Sequence, residues 1–271
     1  MAEKMTKKEL KEPDALQRAG MEATSKLEGK EKYLVGGLVA LVVIGLIAAI
    51  VDALSDRSEA RAERALGAAM EPVGRRVAQG ETAQDPNETQ PPFASQQAKD
   101  EAVVESLTKF RAEHGGTKSA TTAALPLAQA QLRLGKHDDA VKSFDQFIKD
   151  AAKDNQLRAA ALEGKGYALE AKGDLDGALA AFDELAKLEQ PFLQGMGQFH
   201  RGRILVLQNK RDEAAKVFAS IPEQFPNSAA ARQAQERLNL LASQGVAVPS
   251  PKAPAAGGSG ESGTVGAAGQ K

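Results

Sequence analysis

One short pattern occurs three times in this chain, and it limits the folds open to it. The pattern is Gly or Asn, then Asp three residues on, Ala two further, and Phe four after that. It reads Gly135, Asp138, Ala140, Phe144; then Gly173, Asp176, Ala178, Phe182; then Asn209, Asp212, Ala214, Phe218. The copies lie 38 and 36 residues apart. A period of that size marks an array of helix pairs, each of which buries its apolar face against the next.

Each residue type has a physical role. Gly, or Asn in its place, takes the left-handed conformation that ends a helix. The following Asp is expected to cap the next helix, where its charge suits the positive end of the helix dipole. Ala lets the two helices of a hairpin approach closely. Phe lies on the same helix face as the Ala, four residues on, and is expected to fill the space between hairpins.

Composition agrees with helices. Hydrophobic residues make up 42% of the chain, yet aromatics only 4%, with no Trp. Abundant Ala favours close-packed helices over a sheet core of aromatic and β-branched residues. The net charge is −1, and residues 98–245 carry 20 basic and 20 acidic residues. Nucleic-acid binding needs a basic domain or stripe, so no nucleic-acid partner is expected. There is no Cys, which removes disulfides, thiolate metal sites, a Cys nucleophile and an acylated-Cys anchor.

Residues 1–32 are polar and read as a tail, with a short helix over Lys4–Gln17 interrupted by Pro13. Residues 33–51, YLVGGLVALVVIGLIAAIV, carry no charge. That is close to the ~20 residues that cross a bilayer as a helix, with Tyr33 at one interface. A transmembrane helix is therefore placed at 33–54, with the lipid bilayer as its partner. A cleaved signal peptide, with Val51-Asp52-Ala53 as cleavage site, is the alternative, but the apolar run exceeds a signal core of 7–15 residues. Gly36 with Ala40 and Gly45 with Ala49 are small pairs of the kind that admit another helix, though both residues are common in spanning helices. Lys30 and Lys32 precede the span, and Asp52 and Asp56 follow it. This bias favours a cytoplasmic N-terminus.

Residues 55–95 read as a helical extension to about 70, then a flexible linker marked by Pro72, Gly74, Gly80, Asp85-Pro86 and Pro91-Pro92. The linker is expected to let the next domain stand off the membrane. A helix returns at Gln96–His114, with Val103, Val104, Leu107 and Phe110 on one stripe. Helix pairs are then expected at 119–134 with 137–152, 156–172 with 175–188, and 191–208 with 211–222. A closing helix at 228–243 begins at a Ser228 cap. Pro126 should kink the first of these helices or mark its true start. Residues 246–271 are rich in Pro, Ala, Gly and Ser, a composition that predicts a disordered tail.

The helix pairs resemble tetratricopeptide (TPR) repeats. The small residue of the first helix is matched by Ala128, Gly166 and Gly202. The repeat Ala is matched by Ala140, Ala178 and Ala214, and the repeat aromatic by Phe144, Phe182 and Phe218. Gly173 is a turn glycine, and Pro226 is the closing proline, with Pro191 one residue late. The family's Trp is missing, and the period exceeds its 34 residues. The resemblance implies a TPR-like α-solenoid of about three hairpins with flanking cap helices over 96–245, which with the transmembrane helix read above makes an all-α fold.

A polar N-terminus, one span and a small divergent TPR domain are similar to the YfgM-like ancillary SecYEG translocon subunit family. That implies a bacterial inner-membrane protein with its TPR domain in the periplasm. It implies partners among other proteins held on the TPR concave face, translocon subunits and periplasmic chaperones included. An envelope-assembly or cell-division scaffold and a cytoplasm-facing TPR receptor are the alternatives. Carried over to this sequence, the groove positions are Leu125, Gln129, Leu132 and Arg133; Glu163, Tyr167 and Glu170; and Met196, Phe199, Arg203 and Val206. Leu125 and Val206 read equally well as core.

No catalytic, cofactor or metal site emerges. His114, His137 and His200 are far apart in sequence. Gly164-x-Gly166 and Gly195-x-Gly197 lack the strand that precedes a phosphate loop, and read as helix-packing contacts. The paired carboxylates Asp138-Asp139 and Asp174/Asp176 read as capping groups rather than an acid–base pair. The chain is therefore read as a binding protein and not an enzyme.

Overall fold

The computed structural model describes residues 31–78 and 90–249. The tail expected over residues 1–32, its helix at Lys4–Gln17 included, lies outside these except for Glu31 and Lys32. So do residues 79–89 and 250–271. Among the described residues the fold is all-α, and the single extended pairing is the parallel bridge between Val77 and Phe93. The chain divides into two compact units within its first helix, Met1–Ala60 and Arg61–Lys271.

The first unit contains most of α1 (Glu31–Ala69), a helix of 39 residues. It is long and apolar enough to cross a membrane: an 18-residue window has a mean hydropathy of 2.7, with none of it buried. Leu38, Leu41, Ile44, Ile47 and Ile50 are all exposed. An apolar helix with every side uncovered fits hydrocarbon rather than water as its surroundings.

The second unit begins with the end of α1 and α2 (Glu71–Gly74), then α3 (Gln96–Glu113). Three hairpins follow: α4 (Lys118–Arg133) with α5 (His137–Asp150), α6 (Arg158–Ala171) with α7 (Leu175–Ala186), and α8 (Pro191–Leu207) with α9 (Arg211–Gln224). Helix α10 (Ala229–Ser243) closes the series. Its Ser228 hydroxyl accepts from Ala231 N at 3.0 Å, so the expected cap is present.

The hairpin turns share one geometry. Gly135, Gly173 and Asn209 have φ of 72°, 82° and 62°. In each turn the left-handed residue donates to the carbonyl three back, and the next residue to the carbonyl five back. Gly173 N bonds Glu170 O and Asp174 N bonds Leu169 O, both at 2.9 Å; the pairs at Gly135 and Asn209 are alike. This is the Schellman closure of a helix end. A fourth copy at Gly245 (φ 83°) ends α10 and turns Val246 and Val248 onto the last core cluster. The first residues of the expected disordered tail are thus packed.

The Asp of the pattern works differently from its expected role. Asp138, Asp176 and Asp212 sit in the first turn of the second helices, not at the cap. There their charge meets the helix dipole. The cap positions are Lys136, Asp174 and Lys210, and only Asp174 caps with its side chain, accepting from Gly177 N at 2.9 Å.

Phe144, Phe182 and Phe218 are fully buried, as are Ala140, Ala178 and Ala214. A Cβ on Gly166 would lie 2.5 Å from the Phe182 ring, and one on Gly202 2.5 Å from Phe218. These two rings fill space within their own hairpins. Phe144 and Phe182 also reach the next hairpin: a Cβ on Gly164 would meet Phe144 at 2.3 Å, and Phe182 stacks on His200 of α8 with ring centroids 4.6 Å apart. The expectation that the phenylalanines sit between hairpins thus holds for Phe144 and Phe182.

Two prolines are absorbed within helices. Pro126 lies inside α4 and Pro222 inside α9. The true start of α4 is the Thr117 cap, which accepts from Ala120 N at 3.1 Å. The turn-rich stretch after α1 does not begin the repeat unit. Ala62 and Ala69, at the end of α1, are buried in one cluster with Val103, Leu107 and Phe110 of α3 and Leu127 of α4. Ser106 Oγ donates to Ala69 O at 2.9 Å, and Lys99 Nζ to Arg75 O at 2.6 Å.

Candidate protein-binding face

The first helices of the hairpins form one wall. Helix α4 neighbours α6, α6 neighbours α8, and α8 neighbours α10, while no comparable contact joins α5 to α7 or α7 to α9. Where stacked elements approach more closely on one side, the stack curves toward that side. The first helices therefore line the inner face, the binding surface of helical arrays.

On α6, Glu163, Tyr167 and Glu170 recur at intervals of four and three, which puts them on one helix face. On α8, Phe199, Arg203 and Val206 do the same. The two rows meet. Arg203 grips Glu170 with both terminal nitrogens, at 2.5 and 2.7 Å. Its guanidinium carbon lies 5.7 Å from the centre of the Tyr167 ring. Tyr167 donates its hydroxyl to Glu163 Oε1 at 3.2 Å. His200 Nε2 lies 3.3 Å from both Glu163 Oε1 and the Tyr167 hydroxyl.

His200 is buried, stacked on Phe182 with centroids 4.6 Å apart, and edge-on to Tyr167 and Phe199. Its Nδ1 has no partner among the described residues. The hydrogen bond from His200 holds the Glu163 carboxyl below the usual carboxylate range. Burial, then the charge of Glu163, push the Tyr167 hydroxyl up to about 12. Tyr167 is thus a neutral ring, partly open to solvent, fixed from behind by an ion pair and a buried imidazole.

Beside this strip, Phe199 forms the floor of a cleft of about 550 Å³ with Gln233, Glu236, Arg237 and Leu240 of α10. Phe199 itself is buried, while Leu240 is exposed. Met196 and Val206 are half-buried against the last core cluster.

The residues expected from the first hairpin do not join the strip. Leu125 is buried in the core with Phe144 and Phe147, so its side chain is not available on the surface, and Leu132 packs half-buried against the same cluster. Arg133 turns to α3, where it forks onto the buried Asp100 at 2.6, 2.9 and 3.1 Å. Gln129 is exposed, in a cleft of about 270 Å³ with Gln96, Lys99 and Arg133. Among the expected groove residues, then, Glu163, Tyr167, Glu170 and Arg203 come together, and Phe199 lines the cleft beside them.

Sequence reasoning gave His200 no site and left out Asp100. His200 follows Phe199 and stands 37 residues after Glu163, one repeat on, which is the signal for their meeting. Asp100 lies three residues before Val103 and seven before Leu107, on the buried stripe of its helix. Among the described residues no group of three or more His, Asp or Glu gathers as a metal set.

Comparison with curated proteins finds no match. Two family models, each described as a tetratricopeptide repeat, match residues 125–190 and 197–228. Those stretches take in all three hairpin turns and the joined strip, so the surface just described stands on tetratricopeptide repeats.

Proposed function

We propose that this chain is a membrane-anchored docking protein that holds other proteins on the inner face of its tetratricopeptide repeats. The joined strip on α6 and α8 carries this reading. It presents a rigid aromatic ring and an Arg beside an apolar-floored cleft, the kind of group that dominates binding energy at protein interfaces. Tetratricopeptide repeats are protein-interaction modules, which supports binding rather than catalysis as the role of this face. The face is mixed apolar and charged, which suits a peptide or helix ligand.

The finer reading places the repeats outside the cytoplasm, in the periplasm of a bacterial cell, with α1 in the inner membrane. Lys30 and Lys32 before the span, against Asp52 and Asp56 after it, support that orientation. Translocon subunits and periplasmic chaperones are the partners that the overall layout supports.

Co-purification from membranes in mild detergent tests the partner. The expected result is recovery of translocon subunits or chaperones with the native chain, and their loss with Tyr167→Ala combined with Arg203→Ala. Repeated recovery of cell-wall machinery instead, with septal fluorescence, turns the reading toward an envelope or division scaffold. A topology reporter fused after residue 245 tests the compartment, and a cytoplasmic signal overturns the periplasmic placement.

A further inference from the structure

We propose that α1 pairs side by side, and in parallel, with α1 of a second copy of this chain. The argument rests on how charge is arranged around that helix. At 3.6 residues per turn, Ala53, Ala60 and Gly67 fall on one line along α1. Asp52, Asp56 and Glu63 form a stripe about 60° to one side of that line, and Arg57, Arg61 and Arg64 a stripe about 70° to the other. All six charged residues are exposed, and the three arginines have no ion pair among the described residues. The residues that α1 packs inward, Ala62, Ala65, Leu66 and Ala69, centre about 170° from the line. Among the described residues, Ala53 and Gly67 of this face are exposed and Ala60 is half-buried.

Such a face is complementary to itself under one operation. A two-fold axis parallel to the helix sets the acidic flank of one copy against the basic flank of the other, on both sides of the seam. This is the arrangement by which flanking charges select partner and orientation in parallel two-stranded coils. An antiparallel copy would meet acid with acid and base with base. The small seam residues allow close approach, and a Cβ added at Gly67 would meet nothing within 4 Å. Ala49 and Val42 extend the line into the apolar segment. Insertion of every copy in one direction makes the parallel arrangement the default; that part rests on the membrane reading above, whereas the charge pattern does not.

The chain has no cysteine, so single cysteines report the pairing directly. Full-length Ala53→Cys, Ala60→Cys and Ser58→Cys variants are oxidised mildly in native membranes and run without reductant. Ser58 points about 160° away from the seam. A disulfide needs Cα atoms within about 7 Å, so dimer from Ala53→Cys and Ala60→Cys is expected to exceed that from Ser58→Cys by about tenfold. Equal crosslinking at all three positions, none at any, or a product containing a different protein overturns the proposal.

Charge reversal gives a second reading. Arg61→Glu with Arg64→Glu should abolish the Ala60→Cys dimer. Co-expression with a chain carrying Asp56→Lys and Glu63→Lys should restore it as a mixed dimer. Failure to restore it overturns the proposal. Carbonate washing of the same membranes separates the two readings. A chain that washes off yet crosslinks at Ala60→Cys sinks the membrane anchor alone. One that stays without crosslinking sinks the pairing alone.

Discussion

At Gly166 and Gly202 the absence of a side chain is what seats the repeat phenylalanines. Gly166→Ala or Gly202→Ala forces an atom to within 2.5 Å of a buried ring. Overpacking of this kind costs about 1–3 kcal/mol, against about 1 kcal/mol gained in helix propensity. Both variants should therefore melt lower than the parent, by circular dichroism of a fragment spanning 61–249. Glu163 yields a pH dependence. Its carboxyl titrates below the usual range because His200 bonds the charged form. A depressed carboxyl adds stability above its unfolded pKa and loses it as pH falls through the folded one. Thermal stability should drop as pH falls below about 4, and the drop should be shallower in Glu163→Gln. Tyr167 runs the other way: the stability of its neutral form is lost as pH rises from its ordinary value toward about 12. Ultraviolet titration in a Tyr33→Phe background should show the late ionisation. The phenylalanines and their glycines were legible because their spacing repeats. His200 was not, because its burial is set by Phe182 on another helix.

Boundaries of helices followed the sequence closely wherever a turn glycine, asparagine or cap residue marks them. They departed from it where tertiary packing overrides a local breaker. Helix α4 runs through Pro126 because its Thr117 cap anchors one end and buried Ala123, Ala124, Leu127 and Ala128 hold the face around it. The end of α1 was the larger surprise. Its Ala-rich composition signalled a helix, but nothing local signalled that Ala62 and Ala69 are core for α3. Small residues leave a weak apolar pattern, and their partners lie more than 30 residues on. A fragment beginning at residue 96 should therefore be less stable than one beginning at 61. The apolar area it uncovers on Val103, Leu107 and Phe110 corresponds to about 2–4 kcal/mol. Chemical denaturation of the two fragments checks this, with a lower midpoint expected for the shorter one.

For the protein as a whole, the apolar helix and the repeat unit make separate demands. The full chain should remain with membranes through a carbonate wash, and deletion of residues 33–54 should release it. Tyr167→Ala with Arg203→Ala should leave the fold in place, since both side chains are partly exposed, and weaken partner capture by at least about tenfold, as loss of interface anchors does. Leu125 shows why a resemblance alone overreaches at a groove: its side chain was taken by the core, whereas Arg133 pairs with Asp100 of α3 and stays half-exposed. The turn at Gly245 bears on the far edge of the molecule. A solenoid with an uncovered terminal helix invites another to stack there, and so to grow into fibres. By laying Val246 and Val248 against the last cluster, the chain covers part of the apolar surface at that end from within.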